Sequence, residues 1–351
     1  MAGRRRTDSW EAAITVSDLG EFGLIAAIRA LLPPDTGLIV GIGDDAAVLP
    51  APDSRVVAST DLLVEGRHFR RDWSSPLDIG RKAAAQNLAD VAAMGARPTA
   101  LLVGLAAPAD LAAEWALDVV RGLARECSIA GASIAGGDVS GAGSVMLAIT
   151  ALGDLAGAQP VTRGGARPGD RVAVAGQLGS SAAGLALLAA GLATPWDALP
   201  QADGRPPRGS PGGAALVAAH RCPRPPYAAG PQAAAAGATA MIDVSDGLVQ
   251  DLGHIAAASG VRVDLDRDAL AASPAVAAGA LQAAAAQLGG PDWLSWVLAG
   301  GEDHALAATF PAAAPVPAGW TIVGSVTAGS GVLVDGQGTG EMRGWDHYRD
   351  H

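Results

Sequence analysis

Aspartates recur beside glycines or hydroxyl residues in four short segments of this chain. They are Gly41-Ile42-Gly43-Asp44-Asp45, Ser59-Thr60-Asp61, Gly136-Gly137-Asp138 and Asp243-Val244-Ser245-Asp246-Gly247. Hard cations such as Mg2+ take oxygen ligands, usually a few carboxylates completed by substrate phosphates. Each segment follows an apolar strand candidate, so the spacing predicts acids on strand-end turns that can converge on one crevice. A single Asp-Gly turn is ordinary loop chemistry. Four in this setting favour a shared cation site. Asp90 adds a carboxylate on a helix predicted over Asp78 to Met94, with Asp78 as its cap and Gly95 closing it. Lys82, Gln86 and Asp90 recur there every four residues and share a face. That row reads either as a solvated face or as the wall of a nucleotide crevice.

The Asp243 segment carries a mechanical argument. A strand enters it, and Ser245 is placed to cap a helix predicted over Ser245 to Ser259, whose Leu248, Leu252 and Ile255 form one apolar face. Free N–H groups at such a helix start attract an anion, and Asp243 and Asp246 flank it. Other phosphate and nucleophile signatures are missing. Lys82 follows Gly80-Arg81 rather than a glycine-rich phosphate cradle, so there is no Walker A loop. The protein-kinase signature set and a G-x-S-x-G elbow are also absent. Gly176 to Ser181 reads as a tight strand-to-helix turn, and His68 and His304 lie beside acidic motifs.

The elements that must position these residues alternate between strand and helix signals. Strands are predicted at Leu38–Ile42, Arg55–Ser59, Pro98–Leu105 and Ser144–Leu152, with helices at Leu19–Ile28 and Asp110–Ala130. A breaker-rich stretch from Gln159 to Asp170 marks a domain boundary. Beyond it come strands at Arg171–Ala175, Ala238–Val244, Val261–Leu265, Thr321–Val323 and Val332–Val334. Thr194 to Gly213, rich in Pro and Gly, reads as a loop insertion. The pattern is α+β or α/β in two lobes, as 351 residues allow.

Bulk properties narrow the partners. With 24 basic and 35 acidic residues the net charge is −11, which argues against nucleic acid and anionic membrane as partners. No apolar run is long enough for a membrane span, and Arg4-Arg5-Arg6 is not followed by a signal-peptide core. Cys127 and Cys222 are too few for a disulfide framework, and the expected setting is the cytoplasm with both reduced. Lys82 is the only lysine, every other basic residue being Arg; the excess of Ala, Gly and Arg reads as a coding bias.

Seven motifs occur in one order along nearly the whole chain: GIGDDAAV from Gly41, STDLLVEGRHF from Ser59, NLADVAAMGARP from Asn87, GGD from Gly136, TRGGARPGD from Thr162, IDVSDGLVQDLGHIA from Ile242 and GGED from Gly300. In these the chain resembles the thiamine-monophosphate kinases, of the superfamily that includes aminoimidazole ribonucleotide synthetase and selenophosphate synthetase. The resemblance implies a two-domain fold like aminoimidazole ribonucleotide synthetase, with residues 1–160 as an N-terminal nucleotide-binding and dimerisation domain and 161–351 as a C-terminal α/β domain. It implies a homodimer joined through the N-terminal sheets. It further implies Mg-assisted, in-line transfer of a phosphoryl group from ATP to thiamine monophosphate. Asp45, Ser59, Thr60, Asp61, Asp90, Asp138, Asp243 and Asp246 would then ligate or orient several Mg2+ ions. Gly137, Asp138, Arg163 and Ser245 would contact ATP, and His68, Glu302 and Trp345 the thiamine phosphate. No catalytic base is implied, because a phosphate acceptor is already largely ionised at pH 7. The alternatives are a superfamily enzyme with another acceptor, or a non-catalytic nucleotide-binding or thiamine-phosphate-binding module. His304 and Ala305 stand after GGED, where the family usually has an aromatic residue and a Glu.

Overall fold

Side-chain alternation in the strand Val57–Val64 (β1) decides which of its residues meet helices and which face outward. It belongs to a four-stranded sheet with Arg97–Ala107 (β2), Ser133–Gly141 (β3) and Met146–Asp154 (β4), in the order β1-β4-β2-β3. Only β2 and β3 run parallel; the other neighbours are antiparallel. This computed structural model describes residues 14–33, 37–42, 46–193, 212–340 and 344. Asp45, Trp345 and residues 194–211 of the predicted insertion lie outside them.

Three helices accompany this sheet: Val16–Leu31 (α1), Pro76–Ala93 (α2) and Ala113–Ala130 (α3). Thr15 opens α1 with a capping box completed by Asp18. In α2 the cap is Ser75 rather than Asp78. Ser75 accepts the Asp78 N–H, Pro76 takes the first turn, and Asp78 accepts from the Ser75 hydroxyl. Helices α2 and α3 cross where glycine meets backbone. A Cβ on Gly80 would lie 1.9 Å from the Val119 carbonyl oxygen, and one on Gly122 would lie 2.1 Å from that of Leu77. Leu88, Leu101, Leu123, Leu147 and Ile149 are fully buried beneath this pair. In place of the strand predicted at Leu38–Ile42, Val40 and Ile42 form isolated bridges, Val40 with Val48. The region Ser133–Gly141, whose glycines hid it from the sequence pattern, is a strand.

The second sheet has seven strands: Arg171–Ala175 (β5), Ala240–Val244 (β6), Arg262–Leu265 (β7), Ala305–Phe310 (β8), Thr321–Thr327 (β9), Gly331–Val334 (β10) and Gln337–Gly338 (β11). Their order is β11-β10-β7-β9-β5-β8-β6. Helices Ser180–Ala189 (α4), Gly213–Arg221 (α5), Ala229–Ala235 (α6), Leu248–Ser259 (α7), Arg267–Ala272 (α8), Ala278–Gln287 (α9) and Trp293–Ala299 (α10) complete this half. All six residues of β8 are buried. Its run of small apolar residues does not alternate, so it gives no period-2 signal. The mixed α+β architecture is the one expected.

The halves interlock. Helix α2 packs on β6, β8, α5 and α6 of the second half. Tyr227, which precedes α6, joins the core of the first half. Its hydroxyl donates to Glu126 at 2.9 Å, and Glu126 also accepts from Arg81 at 2.8 Å. Cys127 and Cys222 are buried free thiols.

Candidate active site

The Lys82, Gln86 and Asp90 row turns inward, towards β1 and the second sheet; it is not a solvated face. On β1, Ser59 and Asp61 share the side that faces α2. The Ser59 hydroxyl donates to Asp90 Oδ2 at 2.7 Å. The Asp61 carboxylate accepts from Gln86 Nε2 at 3.2 Å, and its N–H donates to Asn87 Oδ1 at 3.0 Å. Across the junction, buried Asp243 on β6 lies 3.3 Å from His304 Nδ1. Burial, then the charges of Asp243 and Asp61, push the Asp90 carboxyl up to about 7. Asp251 on α7 is also raised to about 7, by burial and then by Asp243. Carboxylates from both sheets therefore crowd one region and repel, which favours a cation there.

Sequence reasoning put Asp61 and Asp138 on turns, but both lie within strands, whereas Asp243 lies near the end of β6, inside the strand predicted at Ala238–Val244. It also made Ser245 the cap of α7. The cap position is Gly247, and the N–H groups of Asp246 and Gly247 donate to Asp251 Oδ2, both at 3.0 Å. The Ser245 carbonyl instead accepts the Glu302 N–H at 2.7 Å.

Glu302 and His304 flank Asp303 with φ of 65° and 53°, an uncommon conformation for residues with a side chain. Asp303 holds the segment down by accepting the Gly179 and Ser181 N–H groups at 2.7 and 2.8 Å, at the start of α4. Half-buried Glu302 meets Lys82 Nζ at 2.9 Å and His220 Nδ1 at 3.5 Å. Burial alone would raise its pKa, but Lys82 and then His220 hold it down at about 2. Burial and the Lys82 charge press the His220 imidazole down to about 3, so it is neutral at pH 7. His68 accepts the Val64 N–H on Nδ1 at 3.0 Å, and its carbonyl accepts from Lys82 Nζ at 3.1 Å. Sequence reasoning assigned no role to Asn87, His220 or Asp251. Each is a buried polar residue, a signal visible only once burial is known.

Other expected residues stand apart. By register, Thr60 and Asp138 lie on the outward face of the sheet with Leu62 and Leu102. The Thr60 hydroxyl donates to the Ile149 carbonyl at 2.9 Å. Asp138 is three strands from β1, about 14 Å at ordinary strand spacing. Gly137 is required by the sheet itself, since a Cβ there would lie 1.9 Å from the Val103 carbonyl oxygen. Exposed Arg163 sits beside Ser259, whose hydroxyl donates to its carbonyl. That is the far end of α7 from Asp246, about 18 Å away for twelve helical residues. Among the described residues no three His, Cys, Asp or Glu side chains are grouped to hold a metal ion unaided.

Residues 43–155 match the family model described as AIR synthase related protein, N-terminal domain. A thiamine-monophosphate kinase of Mycobacterium tuberculosis is 48% identical over 336 residues, 95% of this chain and 93% of the relative. The chain belongs to the thiamine-monophosphate kinase family. Among solved structures, the thiamine-monophosphate kinase from Stenotrophomonas maltophilia is 34% identical, with a TM-score of 0.73, covering 90% of this chain and 96% of that one. AaThiL complexed with AMPPCP and TMP is 31% identical, with a TM-score of 0.72, covering 96% and 100%. This member of the family has His304 beside Asp243 at the position after GGED.

Proposed function

We propose that this thiamine-monophosphate kinase family member transfers the γ-phosphoryl group of ATP to the phosphate of thiamine monophosphate, giving thiamine diphosphate and ADP. The observation that carries this reading is the crowding of Asp61, Asp90 and Asp243 at the junction of the two sheets, beside the Glu302 segment. An oxygen of the acceptor phosphate attacks the γ-phosphorus, and the bond to the β–γ bridging oxygen breaks. The acceptor needs no general base, because its second pKa is about 6. Positioning two polyanions in line is the main task.

The chain supplies that positioning from both halves. Asp61, Asp90 and Asp243, with Ser59 holding Asp90, form an oxygen-only donor set that fits Mg2+. Asp45 and Asp246 complete the proposed ligand set there, whereas Thr60 and Asp138, on the outward face of the first sheet, would hold any ion apart from it. Bound there, Mg2+ would neutralise phosphate charge and align donor with acceptor. Ser245, Gly137, Asp138 and Arg163 are assigned to ATP, and His68, Glu302 and Trp345 to thiamine monophosphate.

We further infer a domain division at residues 160 and 161 and a homodimer joined through the first sheet. Leu62 is 53% exposed and Leu102 36% on its outward face, as an interface requires. No helix among the described residues is long and apolar enough to cross a membrane, and the proposed setting is the cytoplasm. The test is incubation of purified protein with ATP, Mg2+ and thiamine monophosphate. Stoichiometric thiamine diphosphate and ADP by chromatography are the expected result. Nucleotide binding without either product would overturn the reading.

A further inference from the structure

A chain whose positive charge is otherwise entirely guanidinium keeps one ammonium, and keeps it inside. Lys82 is the only lysine among 24 basic residues and is 2% exposed. At position 82 the cation is a compact ammonium on a flexible stem, where a guanidinium would present a planar fork. The Lys82 ammonium donates to Glu302 Oε1 at 2.9 Å and to the His68 carbonyl at 3.1 Å. His68 follows β1 in the first half of the molecule, and Glu302 precedes β8 in the second.

We propose that Lys82 is a positioning residue for the acceptor subsite, a buried ammonium that fixes His68 and Glu302 relative to each other across the junction of the two halves. The proposal rests on the assignment of those two residues to thiamine monophosphate. Glu302 is held at three points. Its N–H is bound to the Ser245 carbonyl, one carboxylate oxygen meets Lys82, and the other faces His220 Nδ1 at 3.5 Å. His220 Nδ1 also lies 3.1 Å from the Ser181 hydroxyl. Lys82 is the member of this set that touches both halves of the proposed subsite. It acts on the acceptor through Glu302 and His68, with which it makes two hydrogen bonds.

A salt bridge that served only stability would affect both substrates alike. The experiment is therefore steady-state kinetics of K82M, K82R, E302Q and K82M/E302Q against each substrate separately. The double variant leaves no unpaired buried charge, so it keeps the test available if K82M does not fold. A displacement of about 1 Å in a positioning group can cost about 100-fold, so K82M is expected to raise KM for thiamine monophosphate at least about 10-fold while KM for ATP stays unchanged. K82R should resemble K82M, and adding K82M to E302Q should raise that KM little further. An unchanged KM for thiamine monophosphate, equal rises for both substrates, or fully additive effects would overturn the role of the lysine. If the wild type makes no thiamine diphosphate, the proposed reaction fails. Calorimetric titration of thiamine monophosphate into wild type and K82M then decides the lysine separately. Weaker binding by K82M supports its role, whereas equal affinity, or no binding by either protein, overturns it.

Discussion

Asp90 holds its proton to an unusually high pH, and that is measurable before any substrate is added. An aspartate in the unfolded chain titrates near its ordinary value of about 4, whereas burial and the charges of Asp243 and Asp61 raise Asp90 to about 7. Between those values the folded state binds the proton that the unfolded state releases. Its contribution to stability is therefore fully present below about 4 and is lost as pH rises through about 7. The expectation is that Asp90→Asn flattens the dependence of melting temperature on pH between about 4 and about 7, measured with a chelator present. An identical slope in variant and wild type would contradict the crowding. The sequence marked Asp61 and Asp243 as candidates because carboxylates beside strand candidates are recognisable residue by residue, and Asp90 because it shares a helix face with Lys82 and Gln86. It could not show that Ser59 and Asp61 face α2 while Thr60 faces away, because that depends on where β1 begins and so on its alternation.

At the level of elements, the position of α2 decides the site, since Lys82, Gln86 and Asp90 all project from it. Its seat on α3 depends on backbone contact at Gly80 and Gly122. Gly122→Ala would drive a methyl group into the Leu77 carbonyl, and overpacking of this kind costs about 1–3 kcal/mol. We expect a lower melting temperature together with a turnover loss larger than the stability change explains, because α2 shifts its polar row against β6 and β8. Loss of stability with full turnover at low temperature would show that the helix tolerates displacement. Helix α2 was legible from its periodicity, but its cap was not, because Ser75-Pro76 and Asp78 each offer a start signal. Strand β8 was illegible for a different reason. Burial on both faces removes the alternation by which strands are read.

Over the whole molecule, the two sheets could be anticipated from the breaker-rich stretch between Gln159 and Asp170. Their interlocking could not. Tyr227 is distant in sequence from the core it enters, and nothing local to it indicates Glu126 as its partner. The outward face of the first sheet bears on assembly. If it joins two copies, Leu62→Asp with Leu102→Asp should halve the mass measured by light scattering; a monomeric wild type would refute the interface. The solitary lysine has a practical consequence for such work. Amine-directed cross-linkers, acylating reagents and reducing sugars find one side-chain amine in the entire protein, and folding encloses it. An adduct at residue 82 would therefore mark a molecule that has opened, giving the chain a chemical reporter of its own unfolding without any engineered label.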